Sequence, residues 1–178
     1  MNGFITPSIV AAAAVALALN VVAADKVANP ADKKDARADA GFVMEAGQDG
    51  HAEVELGKLA QKNGSSAAVK EFGQRMVTDH SKAGKELAAI AKKLNIKAPS
   101  GPSDKDKAHY KKLAALKGEK FDSEYAQHMV DDHEKAVSLF QKQAKSGEAK
   151  ELRDFAAKTL PTLEEHLKMA RALKDRRK

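Results

Sequence analysis

The sequence has no cysteine and no tryptophan, and its six Phe and two Tyr make aromatics only 4% of the chain. Without cysteine there are no disulfides, no thiol nucleophile and no thiolate-ligated zinc, so any metal ion must be held by His, Asp or Glu. A core with so few rings has to be built from Ala, Leu, Val and Met, which suits closely packed helices better than a sheet. Blocks of basic charge are also missing. The net charge of +6 comes from single Lys and Arg set among single acids, apart from the short Arg176-Arg177-Lys178 end. That pattern lacks the clustered basic stripe of a nucleic-acid reader, so no nucleic-acid partner is expected. No series of alternating ten-residue strands occurs, which excludes an outer-membrane barrel.

One long apolar run is present. From Ile9 to Ala24 the chain is apolar apart from Asn20, too short to span a bilayer comfortably, and it closes on Val22-Ala23-Ala24 before Asp25. This is the layout of a secretory signal with a small-residue cleavage site. Residues 1–24 therefore read as a signal peptide cleaved after Ala24, and the mature protein as periplasmic or otherwise exported, with no membrane span. Met1 to Ser8 carries no Lys or Arg, so an uncleaved anchor is the competing reading. Residues 25–39 mix Lys, Asp, Ala and one proline without apolar periodicity, the composition of a flexible linker. What remains, residues 40–175, has the size of one domain.

Within that domain apolar residues return at helical intervals. A first helix is predicted from about Ala40 to Lys62 on Phe42, Ala46, Ala52, Leu56 and Leu59, stopped by Asn63-Gly64. Glu45 and Glu53 border its stripe, and Glu55 points away. Gly50 and Gly57 lie two turns apart on one face, which predicts a close-packed neighbouring helix. A second helix, capped by Ser65 or Ser66, runs to about Leu94 on Val69, Phe72, Met76, Ala83, Leu87 and Ile90. A third, from about Phe121 to Lys145, buries Phe121, Tyr125, Met129, Ala136 and Phe140. A fourth, from about Ala149 to Leu173, buries Leu152, Phe155, Leu163 and Ala170, and Pro161 is expected to kink it.

Residues 95–120 hold Pro99, Gly101, Pro102 and a short amphipathic piece, Ser103 to Lys117. The second helix is roughly 40 Å long at 1.5 Å per residue, and a connection of this size can return the chain along it. The prediction is an all-α four-helix bundle with a long crossover between helices two and three, which then run parallel. A weak internal repeat points to two related hairpins. Val69-Lys-Glu-Phe72 resembles Leu152-Arg-Asp-Phe155, 83 positions on, and Phe42, Glu45 and Gln48 match Phe121, Glu124 and Gln127, 79 positions on.

A stronger repeat carries the chemistry. Met76-Val-Thr-Asp-His-Ser-Lys-Ala83 and Met129-Val-Asp-Asp-His-Glu-Lys-Ala136 agree at six of eight positions, 53 residues apart. In parallel helices the two motifs sit at similar height, and folding back the first and fourth helices brings Glu53 and His166 to that level. Glu53, His80, His133 and His166 are therefore the candidate metal ligands. Glu45, Asp79 and Asp132 are candidate outer partners that orient the histidines, or alternative ligands. Carboxylate and imidazole donors of this kind suit a divalent transition metal, Fe, Mn, Zn or Cu. The plainer reading makes the histidines packed core residues bonded to an Asp or a backbone carbonyl, with Glu53 paired to Arg75 or a Lys. His51, His109 and His128 read as surface or boundary residues, and Met76, Met129 and Met169 as core packing.

In combination, Phe42-Val-Met-Glu-Ala-Gly47, Ala52-Glu-Val-Glu-Leu-Gly-Lys-Leu-Ala60, the two Asp-His motifs, Phe121-Asp-x-x-Tyr125 and Leu160-Pro-Thr-Leu-Glu-Glu-His166 resemble the bacterial family of domain of unknown function 4142. The resemblance runs from about Ala40 to Leu173. It implies an exported, ferritin-like four-helix bundle whose recurrent polar positions fall on Glu53, His80, His133 and His166, and little about activity. Ferritin-like di-iron proteins carry Glu-x-x-His on two helices. Here the residues three before His80, His133 and His166 are Val77, Val130 and Leu163, which argues against a dinuclear oxygen-activating centre. No catalytic residue follows from the sequence, and the reading leans away from an enzyme. The expected function is an exported bundle that binds a metal ion through a Glu/Asp/His cluster in its core. The alternative is a non-enzymatic envelope stress or interaction protein with structural histidines.

Overall fold

The computed structural model describes Met1 and residues 30–176, and these form five helices: α1 (Pro30–Asn63), α2 (Ala67–Lys93), α3 (Asp104–Ala114), α4 (Gly118–Ser146) and α5 (Lys150–Asp175). No strand occurs among the described residues. α1 and α2 pack as one hairpin and α4 and α5 as another, with α1 also against α4 and α2 against α5. That leaves α2 and α4 on a diagonal of the bundle, running in the same direction. Residues 94–117 make the return and carry α3, which packs on α1 and α4. The all-α bundle with one long crossover is therefore what the chain forms. Residues 2–24 of the predicted signal peptide and residues 25–29 of the predicted linker lie outside the described residues.

Residues 30–39 correct the linker reading, because α1 starts at Pro30 instead of near Ala40. Proline is well suited to the first position of a helix, and the Ala, Lys and Asp that follow tolerate helix without supplying an apolar stripe, so periodicity could not detect this part. Asp39 is also built into the fold. Its carboxylate is 3% exposed and accepts from Gln143 Nε2 at 2.8 Å and from the amides of Glu148 at 3.1 Å and Ala149 at 2.7 Å, where α5 begins.

Other helix ends follow local chemistry. Ser66 caps α2 by accepting from the Val69 amide at 3.2 Å. Just past the end of α2, Asn95 stands at φ 55, with Ile96 N bonded to Ala91 O and Asn95 N to Lys92 O, the pairing of a left-handed C-terminal cap. Ser103 and Asp106 form a reciprocal cap on α3. α5 runs through Pro161 as one helix, since Pro161 and Ala157, whose carbonyl loses its partner, are both exposed to water. Gly57 meets Gly73 of α2 so closely that a Cβ on either would lie 2.5–2.6 Å from the other's carbonyl oxygen. Gly50 has no such neighbour, so the predicted close approach holds for Gly57 alone.

The core is in two halves. One apolar cluster gathers Leu56, Phe72, Met76, Phe121, Tyr125 and Met129, and the other Phe42, Leu87, Phe140, Leu152, Phe155 and Leu163. Between them, where each long helix would place its next apolar residue, stand Glu53, His80, His133 and His166.

Candidate metal centre

Three helices each send one imidazole into this polar layer: His80 from α2, His133 from α4 and His166 from α5. Their ring centroids are 5.7 Å apart for His80 and His133, and 5.4 Å for each of the other pairs, a nearly equilateral triangle. Phe72 closes one side, its ring 6.4 Å from that of His133 and 6.3 Å from that of His166. One nitrogen from each histidine lies within 4.8 Å of the others. A tetrahedral ion bound at 2.0–2.1 Å holds its nitrogens about 3.4 Å apart, so modest ring rotations would close the set.

Hydrogen bonds fix which nitrogens are available. His133 Nδ1 lies 2.9 Å from the Met129 carbonyl oxygen, which can only accept, so Nδ1 carries the hydrogen and Nε2 keeps its lone pair. His166 Nε2 donates to Asp79 Oδ2 at 2.9 Å, which leaves the lone pair on Nδ1. The atoms left buried without a hydrogen-bond partner are His80 Nε2, His133 Nε2 and His166 Nδ1, together with Glu53 Oε2 and the Tyr125 hydroxyl. Buried polar atoms rarely stay unpaired, because doing so costs on the order of 1–3 kcal/mol each. Asp79 is steadied in turn by Arg75 Nε at 3.2 Å, and Arg75 grips Glu165 through two bonds of 2.7 and 3.1 Å. An anchored carboxylate behind an imidazole is the arrangement that orients histidine ligands.

The electrostatics favour the ligand form. Burial, and then the neighbouring His166, pushes His133 down to about 4. Burial with the other two rings takes His80 well below its ordinary value, and burial lowers His166 against the pull of Asp79. All three imidazoles are thus neutral at pH 7. At Asp79 burial opposes the charge, but the hydrogen bonds from His166 and Arg75 prevail and hold its carboxyl below the usual range.

The other expected residues are placed differently. Glu53 is buried at 4% exposure, but it stands at the other edge of the His133 ring, with Oε1 3.7 Å from Nδ1, and is outside the convergent set. Burial, then the charges of Asp132, Asp49 and Asp106, raises its carboxyl well above the ordinary range. Asp132 is outside the convergent set: its carboxylate lies 3.0 Å from His128 Nε2 and accepts from Lys135 at 3.1 Å. Glu45 is exposed and is not part of the convergent set. His51 is exposed, as expected, and Met76 and Met129 are fully buried packing residues.

His109 and His128 are boundary residues, as expected, but they meet at the cavity. They are partly buried, their Nδ1 atoms are 3.1 Å apart, and both line the cavity of about 380 Å³ that the triangle also lines. Asp49 and Asp106 share that wall and had been overlooked. The available signal was the four-residue spacing of Glu45, Asp49 and Glu53, and that of His128 and Asp132, each marking one helix face.

A comparison with curated proteins finds no match. Among solved structures, the chain resembles a candidate secreted protein of the DUF305 family from Streptomyces coelicolor, at a TM-score of 0.68 and 17% identity, over 79% of this chain and 92% of that one. At that identity the likeness speaks for the fold alone. The family described as a domain of unknown function, DUF4142, matches residues 24–173, and the chain accordingly belongs to the DUF4142 family.

Proposed function

We propose that this bundle is an exported metal-binding protein that takes one divalent transition metal ion on His80, His133 and His166, with Zn²⁺ or Cu²⁺ favoured over Mn²⁺ or Fe²⁺. The observation that carries the reading is the convergence of three buried, unpartnered imidazole nitrogens within 4.8 Å. A donor set of neutral imidazoles without a carboxylate suits Zn²⁺ and Cu²⁺, whereas Mn²⁺ prefers oxygen. Asp79 and the Met129 carbonyl serve as outer partners that hold two of the rings in the right tautomer. A packing role would account for those outer bonds but leaves the inner nitrogens unexplained. Export is supported by the apolar segment ending at Ala24 and by the family match, which begins at residue 24.

Three protein ligands leave a tetrahedral ion one further position, which suits capture and hand-over of the metal as well as a structural role. The test is thermal and chemical unfolding with Zn²⁺, Cu²⁺, Mn²⁺ or Fe²⁺ and with chelator. Metal at about 100 times Kd should stabilise the protein by about 2.7 kcal/mol. His80→Ala or His133→Ala alone should remove most of that increment, and the double variant should lose little more, since ligands of one site act as a unit. Additive destabilisation that chelator does not alter would mean packed core histidines and no metal site.

A further inference from the structure

We propose that Glu45, Asp49 and Glu53 form the route by which a divalent cation enters the cavity and reaches the three histidines. The proposal rests on the metal-binding reading above. The three acids stand at four-residue intervals on α1, so they share one face, each about 6 Å further along the helix. They grade from exposed Glu45 through half-buried Asp49 to Glu53 at 4% exposure, and all three line the same cavity as His80, His133 and His166. Asp106 of α3 and Asp132 of α4 add negative charge to the wall.

A row of acids could be a solvated helix face, but Glu53 is not solvated. Its Oε2 is buried on the cavity wall without a hydrogen-bond partner, while Oε1 lies 3.7 Å from the His133 ring. Among the described residues no Lys or Arg forms an ion pair with Glu45, Asp49 or Glu53. Of the two lysines on this wall, Lys135 is bound to Asp132 at 3.1 Å and Lys105 is exposed. Above about pH 7, where Asp49 is ionised, the wall presents negative charge that attracts a cation and repels an anion.

The geometry also separates a route from a resting site. The only set of ligand atoms that converges to metal-binding range among the described residues is the histidine triangle. Carboxylates a helical turn apart can pass on a hydrated ion without holding it, and the ion sheds water at the imidazoles. Clefts lined by one sign of charge raise association rates by 10 to 1,000-fold.

Cu²⁺ alone is the probe, followed by stopped-flow tyrosine fluorescence. The chain lacks tryptophan, and Tyr125 packs on Phe72, which borders the histidine triangle. At pH 8, where Asp49 is ionised, Asp49→Asn should bind Cu²⁺ saturably with an association rate reduced roughly tenfold at low salt and a flatter salt dependence. Asp49→Glu should restore most of the rate. Glu55→Gln removes the same charge from the exposed face of α1, and should associate as fast as the native protein. His80→Ala should instead lose equilibrium affinity. Equal association rates for Asp49→Asn and Glu55→Gln overturn the route while leaving the histidine site intact. Absence of saturable Cu²⁺ binding to the native protein overturns both.

Discussion

Asp49 carries the cost of the acidic wall in its own titration. Burial, followed by the charges of Asp106, Asp132 and Glu45 and opposed by Lys135, raises its carboxyl from 3.8 to about 7. The unfolded chain releases that proton near pH 4. Between about pH 4 and 7 the folded state thus holds a proton the unfolded state has lost, and stability falls as pH rises through this window. Asp49→Asn should stabilise the metal-free protein at pH 8, on the order of 2 kcal/mol after allowing for solvent screening, and have little effect at pH 4. Urea unfolding at the two pH values measures it, and an equal effect at both would refute the assignment. His133 has the opposite sign. Its folded value of about 4 lies below the ordinary 6.5, so protons bind the unfolded chain first and stability is lost as pH falls from about 6.5 to 4. A residue that weakens the fold at working pH suits a functional wall better than a structural one.

At the scale of elements, the two hairpins are joined by borrowed caps. Asp122 of α4 accepts from the amides of Ser65 and Ser66, each at 3.0 Å, and from the Ser65 hydroxyl at 2.7 Å, where α2 begins. Asp39 of α1 does the same for the start of α5. Asp122→Ala and Asp39→Ala should each cost about 1–3 kcal/mol, because buried helix amides lose their acceptor. Denaturant titration followed by circular dichroism checks this, and a loss below about 0.5 kcal/mol, as at a surface cap, would count against it. Helical periodicity made the four long helices legible, as it did the inward position of His80, His133 and His166. It could not reveal the start of α1, whose first residues lack an apolar stripe, or the caps, which join residues more than 50 positions apart. Nor could it reveal the acidic wall, because single acids on a helix face look alike until α3 folds over them. Glu53 shows the limit of reasoning by height, since it reaches the right layer but the wrong edge of the His133 ring.

Across the whole molecule, no described helix is long and apolar enough to cross a membrane. The proposed export through the amino-terminal segment separately predicts a processed chain. N-terminal sequencing of protein from a cell-envelope fraction should read from Asp25, and an intact Met1 end in the membrane fraction would show an uncleaved anchor instead. The borrowed caps carry a further consequence. Asp122 follows Asp39 by 83 positions, and the same step relates Ser65 and Ser66 to Glu148 and Ala149, Phe42 to Tyr125, and Phe72 to Phe155. The contacts obey it too, with Phe42 and Phe155 rings 6.4 Å apart and Phe72 and Tyr125 rings 6.1 Å apart. Such reciprocity, in which i meets j and its counterpart j meets i, is the rule of an isologous dimer, here written into one chain. The histidines break it: the counterparts of His80, His133 and His166 are Leu163, Gly50 and Ala83, and that of Glu53 is Ala136. The 53-residue repeat of Asp-His motifs is therefore not the repeat of the fold. A fully symmetric duplicate would carry either two such centres or one on its axis; this chain keeps the twofold in its scaffold and breaks it at the one histidine triangle found among the described residues.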